Sequence, residues 1–247
     1  MSVSKGYDVR IFQDRVSMDH AAADLVAERS RTAVASRGVF SLALSGGATP
    51  RGLYGLLASE AYRGRIDWGN IHVFWADERC VPPDHEDSNY RLAADLLLSL
   101  VPVPRPNIHR IHGEDEPVTA AAVYDQELRS FFGKDGRTFD LVLLGMGADG
   151  HTASLFPEER AVTETGRLAV FVPAAGSRSP RITLTPPVIN RAGAVLFLVA
   201  GAGKAPLAAD ILQGAGGSRY PAGLMRPAQG SPLWFLDREA ARLLSGS

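Results

Sequence analysis

The sequence predicts an α/β protein with a mostly parallel open sheet and helices on both faces. Short apolar runs alternate along the chain with segments in which apolar residues recur at helical spacing. Repeated strand–helix units of this kind produce parallel strands joined by right-handed crossovers. The run Leu141–Leu144 is apolar at every position, which is typical of a strand buried on both faces. Both observations favour a Rossmann-like architecture.

Strand–helix pairs can be assigned in order along the chain. Each strand is an apolar run bounded by turn-forming residues, and each helix shows apolar positions at helical spacing. The predicted pairs are residues 7–12 with 18–36, 39–44 with 50–59, 71–76 with 89–98, 141–144 with a short helix from about Thr152, and 195–199 with 205–212.

Local start and stop signals support several of these elements. Gly38 is expected to end the first helix, because glycine readily adopts the left-handed conformation found at helix ends. Thr49 is expected to be the N-cap of the second helix, with Pro50 at its first position. The Ile-Thr-Leu sequence at residues 182–184 predicts a further strand.

The composition is that of an ordinary globular protein. The chain has 247 residues, of which 45% are hydrophobic and 21% charged, and no compositional break divides it. We therefore expect one domain over residues 1–247, with at most a small extra lobe. A net charge of −1 provides no basic surface for nucleic acid. The longest uncharged apolar run, residues 192–203, is shorter than the roughly 18 residues that a membrane span needs.

The first residues and the cysteine content predict a cytoplasmic protein. Cys80 is the only cysteine, so no disulfide can form within the chain. The first eight residues lack the apolar core of a signal peptide.

The loop after the strand at residues 141–144 carries an acid and a histidine among glycines. Loops at the carboxyl ends of strands bind ligands in open α/β sheets, and an imidazole can exchange protons near neutral pH. His151 is therefore a candidate general base, with Asp149 beside it; the alternative is a capping or core histidine. The Gly-x-Gly-x-x-Gly spacing also matches a dinucleotide fingerprint, but no helix opens directly after it, which argues against such a site.

A second glycine-containing loop follows the strand at residues 39–44. Ser45, Gly46 and Gly47 lead to Thr49 at the expected helix start, where unpaired N–H groups and the helix dipole favour an anion. The lysine and spacing of a nucleotide P-loop are missing. The loop is a candidate phosphate site, and the alternative is a tight turn without a ligand.

Charged residues lie next to three further predicted strands. Asp77 and Arg79 follow the strand at residues 71–76, Arg181 begins the strand-like segment before 184, and Lys204 follows the strand at 195–199. A phosphate monoester needs two or three such cations, although each taken alone is more often a solvated surface charge. His109 and His112 lack accompanying ligands at metal-site spacing, so no metal site is predicted.

Several motifs together resemble those of 6-phosphogluconolactonases, in the glucosamine-6-phosphate isomerase/6-phosphogluconolactonase family. They appear in the order found in that family and span nearly the whole chain. The motifs are Ser-Gly-Gly-Ala-Thr-Pro at 45–50, Trp-Ala-Asp-Glu-Arg at 75–79 with Asp-Ser-Asn-Tyr at 87–90, Gly-Met-Gly-Ala-Asp-Gly-His-Thr-Ala-Ser-Leu-Phe-Pro at 145–157, and Arg-Ile-Thr-Leu-Thr at 181–185.

The resemblance implies hydrolysis of 6-phospho-D-glucono-1,5-lactone to 6-phospho-D-gluconate in the oxidative pentose phosphate pathway. It implies no metal or organic cofactor, and a fold related to glucosamine-6-phosphate deaminase and ribose-5-phosphate isomerase. Residues 152–157 match the lactonase motif, whereas the deaminase motif continues with a different sequence at these positions. The alternatives are a sugar-phosphate deaminase or isomerase on the same scaffold, and a non-catalytic sugar-phosphate sensor.

The implied mechanism gives each candidate a role. His151 is expected to activate water, with Asp149 or Asp77 orienting its ring, and Arg79 or N–H groups of the 145–150 loop stabilising the oxyanion. The expected partner is the phosphosugar lactone, bound by a monomer or small homo-oligomer. The residues expected to hold its phosphate are Ser45, Gly46, Gly47, Thr49, Arg181 and Lys204.

Overall fold

The computed structural model of the protein describes residues 6–133, 138–214, 216–227 and 230–245. Strands and helices alternate along most of the chain. The strands are β1 Asp8–Phe12, β2 Phe40–Leu44, β3 Ile71–Trp75, β4 Asp77–Arg79, β5 Ile108–His109, β6 Leu141–Leu144, β7 Ala169–Val172, β8 Arg181–Leu184, β9 Val195–Val199 and β10 Leu233–Asp237. The helices are α1 Arg15–Arg37, α2 Arg51–Ala58, α3 Glu60–Arg63, α4 Asn89–Ala93, α5 Pro117–Phe132, α6 Pro186–Asn190, α7 Ala205–Leu212, α8 Pro221–Leu224 and α9 Arg238–Ala241.

The strands form two sheets, and the larger one confirms the predicted α/β class. Its seven strands run in the order β1-β10-β9-β6-β2-β3-β5, and every pairing is parallel. Strands β2, β6, β9 and β10 are buried at every position, and the sequences of β6 and β9 are apolar throughout, which is typical of strands buried on both faces. The smaller sheet is antiparallel, in the order β4-β8-β7.

The strand order reverses direction between β2 and β6. The chain leaves β2 towards β3 on one side, whereas it leaves β6 towards β9 on the other. Connections that depart in opposite directions leave a crevice above the carboxyl ends of the two strands, which is where open α/β sheets bind ligands. Both predicted glycine loops begin at these two strand ends.

Ala76 connects the two sheets at the end of β3. Ala76 lies between β3 and β4; its N–H donates to the carbonyl of Leu44 in β2 at 2.8 Å, and its carbonyl accepts from the N–H of Leu184 in β8 at 2.8 Å. The smaller sheet therefore stands beside the carboxyl end of the larger one. The expectation of one domain over residues 1–247 remains a prediction.

Two predicted helix starts are wrong. Helix α2 begins at Arg51, and Pro50 rather than Thr49 occupies its N-cap position, without a side-chain cap. No helix starts at Thr152: its hydroxyl bonds to the carbonyl of Gly145, and it forms an isolated bridge with Leu155 that closes a turn. The first helix is confirmed and begins earlier than predicted, because Asp14 and Ser17 form a capping box ahead of the apolar pattern.

Further elements were not predicted, among them α5, β5, β7 and β10. Helix α5 begins with Glu116 accepting hydrogen bonds from two backbone N–H groups and with Pro117 at its first position. Within the described ranges, no helix is long and apolar enough to cross a membrane.

Candidate active site

A cavity of about 540 Å³ lies in the crevice above β2 and β6. Loops after both strands line it, together with residues from β4, β8 and the turn before α7. Nine of the ten site residues predicted from the sequence line this cavity, and the tenth, Asp149, contacts one of them. The nine are Ser45, Gly46, Gly47, Thr49, Asp77, Arg79, His151, Arg181 and Lys204.

The loop after β2 presents backbone donors to the cavity. A Cβ at Gly46 would lie 1.7 Å from Oδ1 of Asn89, and Gly47 has a φ of +88°, so glycine is needed at both positions. Within the described chain, the N–H groups of Gly46, Gly47 and Ala48 have no hydrogen-bond acceptor. Several unpaired N–H groups in one loop are suited to binding an anion.

Buried tyrosines hold the ends of both strands that border this loop. Tyr54 in α2 donates its hydroxyl proton to the carbonyl of Ser45 at 2.5 Å and accepts the N–H of the same residue at 3.1 Å. Tyr124 in α5 makes the same pair of bonds to Trp75, each at 3.0 Å. Both phenols are fully enclosed, and burial raises the pKa of each well above its ordinary value. The two strand ends are thereby fixed to helices.

Four cationic side chains line the cavity. Arg181 lies 3.7 Å from a carboxylate oxygen of Asp77, and burial lowers the pKa of its guanidinium, although Asp77 opposes this effect. Arg79 donates to the backbone carbonyl of Asp87. The side-chain amine of Lys204 forms no hydrogen bond or ion pair with the residues that the structure describes, so its charge is available to a ligand. Arg15, the fourth cation, was not predicted from the sequence.

His151 and Asp149 form a hydrogen-bonded pair in the loop after β6. Oδ1 of Asp149 lies 2.5 Å from Nδ1 of His151 and accepts the backbone N–H of His151 at 3.1 Å. A carboxylate only accepts hydrogen bonds, so this contact assigns the ring proton to Nδ1 and leaves Nε2 as the basic nitrogen. Burial raises the pKa of the Asp149 carboxyl, but hydrogen bonds and charge attraction from His151 outweigh this effect and lower the pKa overall.

The loop leaves no space for a side chain at its second glycine. A Cβ at Gly147 would lie 2.1 Å from Nδ1 of His151 and 2.6 Å from Oδ1 of Asp149. The N–H of Gly147 donates to the carbonyl of His151 at 2.8 Å, and that of Gly150 donates to the carbonyl of Gly147 at 3.3 Å. The loop thus closes on itself around the histidine. The ring of Phe156 packs against the imidazole, with 4.5 Å between the ring centroids.

Asp77, the other acid considered for orienting the histidine, has different partners. Its carboxylate accepts the hydroxyl of Ser154 at 2.6 Å and the side-chain amide of Asn89 at 3.1 Å. Ser154 follows Ala153, whose φ of +49° is unusual for a residue with a side chain. The carboxylate that contacts the ring of His151 is therefore that of Asp149, and Asp77 ties the histidine loop to β4 and α4.

The neighbouring acid, Glu78, organises the start of α4. Its carboxylate accepts the N–H groups of Arg79, Asn89 and Tyr90 at 2.7–2.8 Å and the hydroxyl of Ser88 at 3.0 Å. Burial raises the pKa of this carboxyl, although the backbone hydrogen bonds oppose the effect. Glu78 therefore fixes Asn89, which in turn contacts both Asp77 and the space beside Gly46.

In the part of the chain that the structure describes, neither Cys80 nor a group of metal-ligating side chains provides a second catalytic centre. Burial raises the pKa of the Cys80 thiol to about 11, so the thiol stays protonated at neutral pH. Among the residues that the structure describes, no cluster of three His, Cys, Asp or Glu side chains is arranged to hold a metal ion.

Comparison with known proteins identifies the family. Residues 13–234 match the family described as glucosamine-6-phosphate isomerases/6-phosphogluconolactonase. The chain belongs to this family. The 6-phosphogluconolactonase of Nostoc sp. is 42% identical over 242 residues, which cover 96% of this chain and 98% of that protein. The corresponding enzyme of Synechocystis sp. is 44% identical over 224 residues, 89% of this chain and 90% of that protein.

Solved structures of the glucosamine-6-phosphate isomerase/6-phosphogluconolactonase family share the fold. A crystal structure of a devB protein has a TM-score of 0.87 and 37% identity, covering 96% of this chain and 98% of that one. The 6-phosphogluconolactonase of Trypanosoma brucei has a TM-score of 0.84 and 28% identity, with 96% and 98% coverage. A monomeric glucosamine-6-phosphate deaminase, 22% identical with a TM-score of 0.80, shares the fold, as the sequence analysis expected.

Proposed function

We propose that this protein hydrolyses 6-phospho-D-glucono-1,5-lactone to 6-phospho-D-gluconate, with His151 as the general base. The observation that carries the proposal is that the His151–Asp149 pair and the cation-lined glycine loop open onto one cavity. Its volume, about 540 Å³, is in the range of small-molecule sites. The name 6-phosphogluconolactonase, carried by relatives that match over most of the chain, supports the same lactone-hydrolysing activity.

The chemical step uses one imidazole twice. Nε2 of His151 removes a proton from a water molecule as the water oxygen attacks C1 of the lactone. Asp149 stabilises the imidazolium that forms. When the bond between C1 and the ring oxygen breaks, the imidazolium returns the proton to that oxygen, so one water is consumed and no other product leaves.

The negative charge that develops on the carbonyl oxygen needs a donor nearby. The sequence analysis left open whether Arg79 or the N–H groups of the 145–150 loop supply it. Two of those N–H groups, at Gly147 and Gly150, already donate within the loop, which favours Arg79.

The phosphate group is assigned to the glycine loop after β2. The unpaired N–H groups of Gly46 and Gly47 and the side chains of Lys204 and Arg181 offer the donors and charge that a phosphate dianion requires. Binding energy from this non-reacting group holds C1 near His151. We also propose that the protein is cytoplasmic and acts as a monomer or small homo-oligomer, with neither nucleic acid nor a membrane as partner.

The test is a coupled assay with freshly generated lactone, corrected for its spontaneous hydrolysis. His151→Ala is expected to lower kcat by about 10²–10⁴-fold while leaving the affinity for 6-phosphogluconate nearly unchanged. The matched control is His112→Ala, which removes an exposed histidine at residue 112 and should retain full turnover.

Three results would contradict parts of the proposal. Unchanged turnover in His151→Ala would remove the general-base assignment. Release of ammonia from glucosamine 6-phosphate, or interconversion of an aldose and a ketose phosphate, without lactone hydrolysis would assign the protein to the alternative activities. Phosphosugar binding without turnover of any of these substrates would indicate a sensor.

A further inference from the structure

Arg15 occupies a position in α1 where a cation is electrostatically disfavoured. It is the first residue of the helix, directly after the N-cap Asp14, and the residues of the first turn itself include no acid. The amino end of a helix carries a partial positive charge and favours anions. The contacts of this guanidinium lie outside the first turn of α1.

Those contacts are with the proposed phosphate-binding loop. Nη2 of Arg15 donates to the carbonyl oxygen of Ala48 and, at 2.9 Å, to that of Thr49. In a planar trans peptide the C=O and the following N–H point in opposite directions. The contact with Ala48 therefore fixes the direction of the N–H of Thr49, and the contact with Thr49 satisfies a carbonyl at the start of α2.

A buried acid one turn further along α1 stands behind the arginine. Oδ2 of Asp19 lies 3.9 Å from Nε of Arg15, and a Cβ at Gly52 would lie 2.0 Å from the same oxygen. Asp19 thus packs against the first turn of α2, and Oδ1 of its carboxylate is buried with no hydrogen-bond partner among the described residues. Burial raises the pKa of this carboxyl to about 6, and the charge of Arg15 acts against that rise. The acid, the arginine and the loop form one connected unit.

We propose that Arg15, supported by Asp19, is a positioning residue that holds the 45–49 loop in its phosphate-binding conformation. Arg15 also lines the cavity, so it adds positive charge beside the loop. The inference rests on the proposed function only in taking this loop as the phosphate site.

The experiment measures binding and turnover separately in the full-length protein. Calorimetry with inorganic phosphate and with 6-phosphogluconate gives Kd, and the lactone assay gives kcat and KM. Arg15→Met is expected to raise both Kd values and KM by about tenfold or more, the size expected when hydrogen bonds to a charged group are lost, with kcat changed by less than about threefold. Arg31→Met, which removes an exposed arginine from the same helix, is the control and should leave all four constants unchanged.

Two further variants separate positioning from charge and from folding. Arg15→Lys keeps the positive charge, but its single nitrogen cannot contact the loop carbonyls and Asp19 together as Nη2 and Nε of arginine do. It should therefore recover less than half of the phosphate affinity that Arg15→Met loses. Full recovery would overturn the positioning role. Asp19→Asn should weaken phosphate binding about two- to fivefold without lowering the melting temperature.

Two outcomes distinguish this proposal from the proposed function. Unchanged phosphate affinity in a folded Arg15→Met would overturn the proposal. A wild-type protein that binds phosphate but does not hydrolyse the lactone would refute only the proposed function.

Discussion

Replacing Gly147 by alanine tests whether the geometry of the His151–Asp149 pair controls turnover. The added Cβ would lie 2.1 Å from Nδ1 and 2.2 Å from Cε1 of His151, and 2.6 Å from Oδ1 of Asp149, whereas ordinary contacts begin near 3.4 Å. The backbone of Gly147 has no positive φ, so alanine is not strained by its own conformation. The imidazole must therefore move by about 1 Å and the Asp149 carboxylate must also shift, which distorts their 2.5 Å contact.

A displacement of about 1 Å at a reacting group costs about 10²-fold in rate, so we expect kcat to fall by about that factor. The phosphate loop is untouched, and the Kd of 6-phosphogluconate should stay within about threefold of the wild-type value. The assay is steady-state hydrolysis of fresh lactone, with circular dichroism to verify folding. Gly55→Ala is the matched control, because a Cβ at that position in α2 meets nothing within 4 Å. A folded Gly147→Ala with wild-type kcat would refute the reasoning.

The remaining predictions concern three carboxylates. Asp149→Asn should lower kcat by as much as about 10⁴-fold with little change in KM, because an amide can hold the imidazole in the wrong tautomer; steady-state kinetics measure both constants. Glu78→Gln should reduce the free energy of unfolding by about 1–3 kcal/mol for each N–H left without an acceptor, which urea denaturation would show as a lower midpoint. The pKa of Asp19 is raised to about 6, so its contribution to stability is present below about pH 4 and lost as pH rises through 6. Asp19→Asn should therefore gain melting temperature relative to the wild type between pH 4 and pH 7, and equal changes in the two proteins would contradict the assignment.

The sequence was most informative where a buried strand meets a polar loop. Apolar runs such as Leu141–Leu144 locate strands because burial on both faces excludes polar residues. Parallel strands end at one edge of a sheet, which is why Ser45, Asp77, His151 and Lys204 could be expected together although they are far apart in the chain.

Local signals failed where tertiary contacts decide the backbone. The expected helix from Thr152 is replaced by a turn, because the hydroxyl of Thr152 bonds back to Gly145 and Ala153 adopts a positive φ. Arg15 was missed because its partners lie 33 and 34 residues away, although a cation at the first position of a helix is a signal visible in the sequence. Asn89 was missed as a site residue because its position depends on the buried acid Glu78.

The connection through Ala76 sets the spacing of the two sheets independently of the side chains that line the cavity. The histidine loop and phosphate loop extend from one sheet and the arginines at 79 and 181 from the other, and the backbone N–H and carbonyl of Ala76 bond to both sheets. Substitution of side chains around the cavity can therefore change which sugar phosphate binds, while these backbone bonds keep the two sheets at the same distance. A scaffold of this kind supports divergence of activity within a family without redesign of its frame.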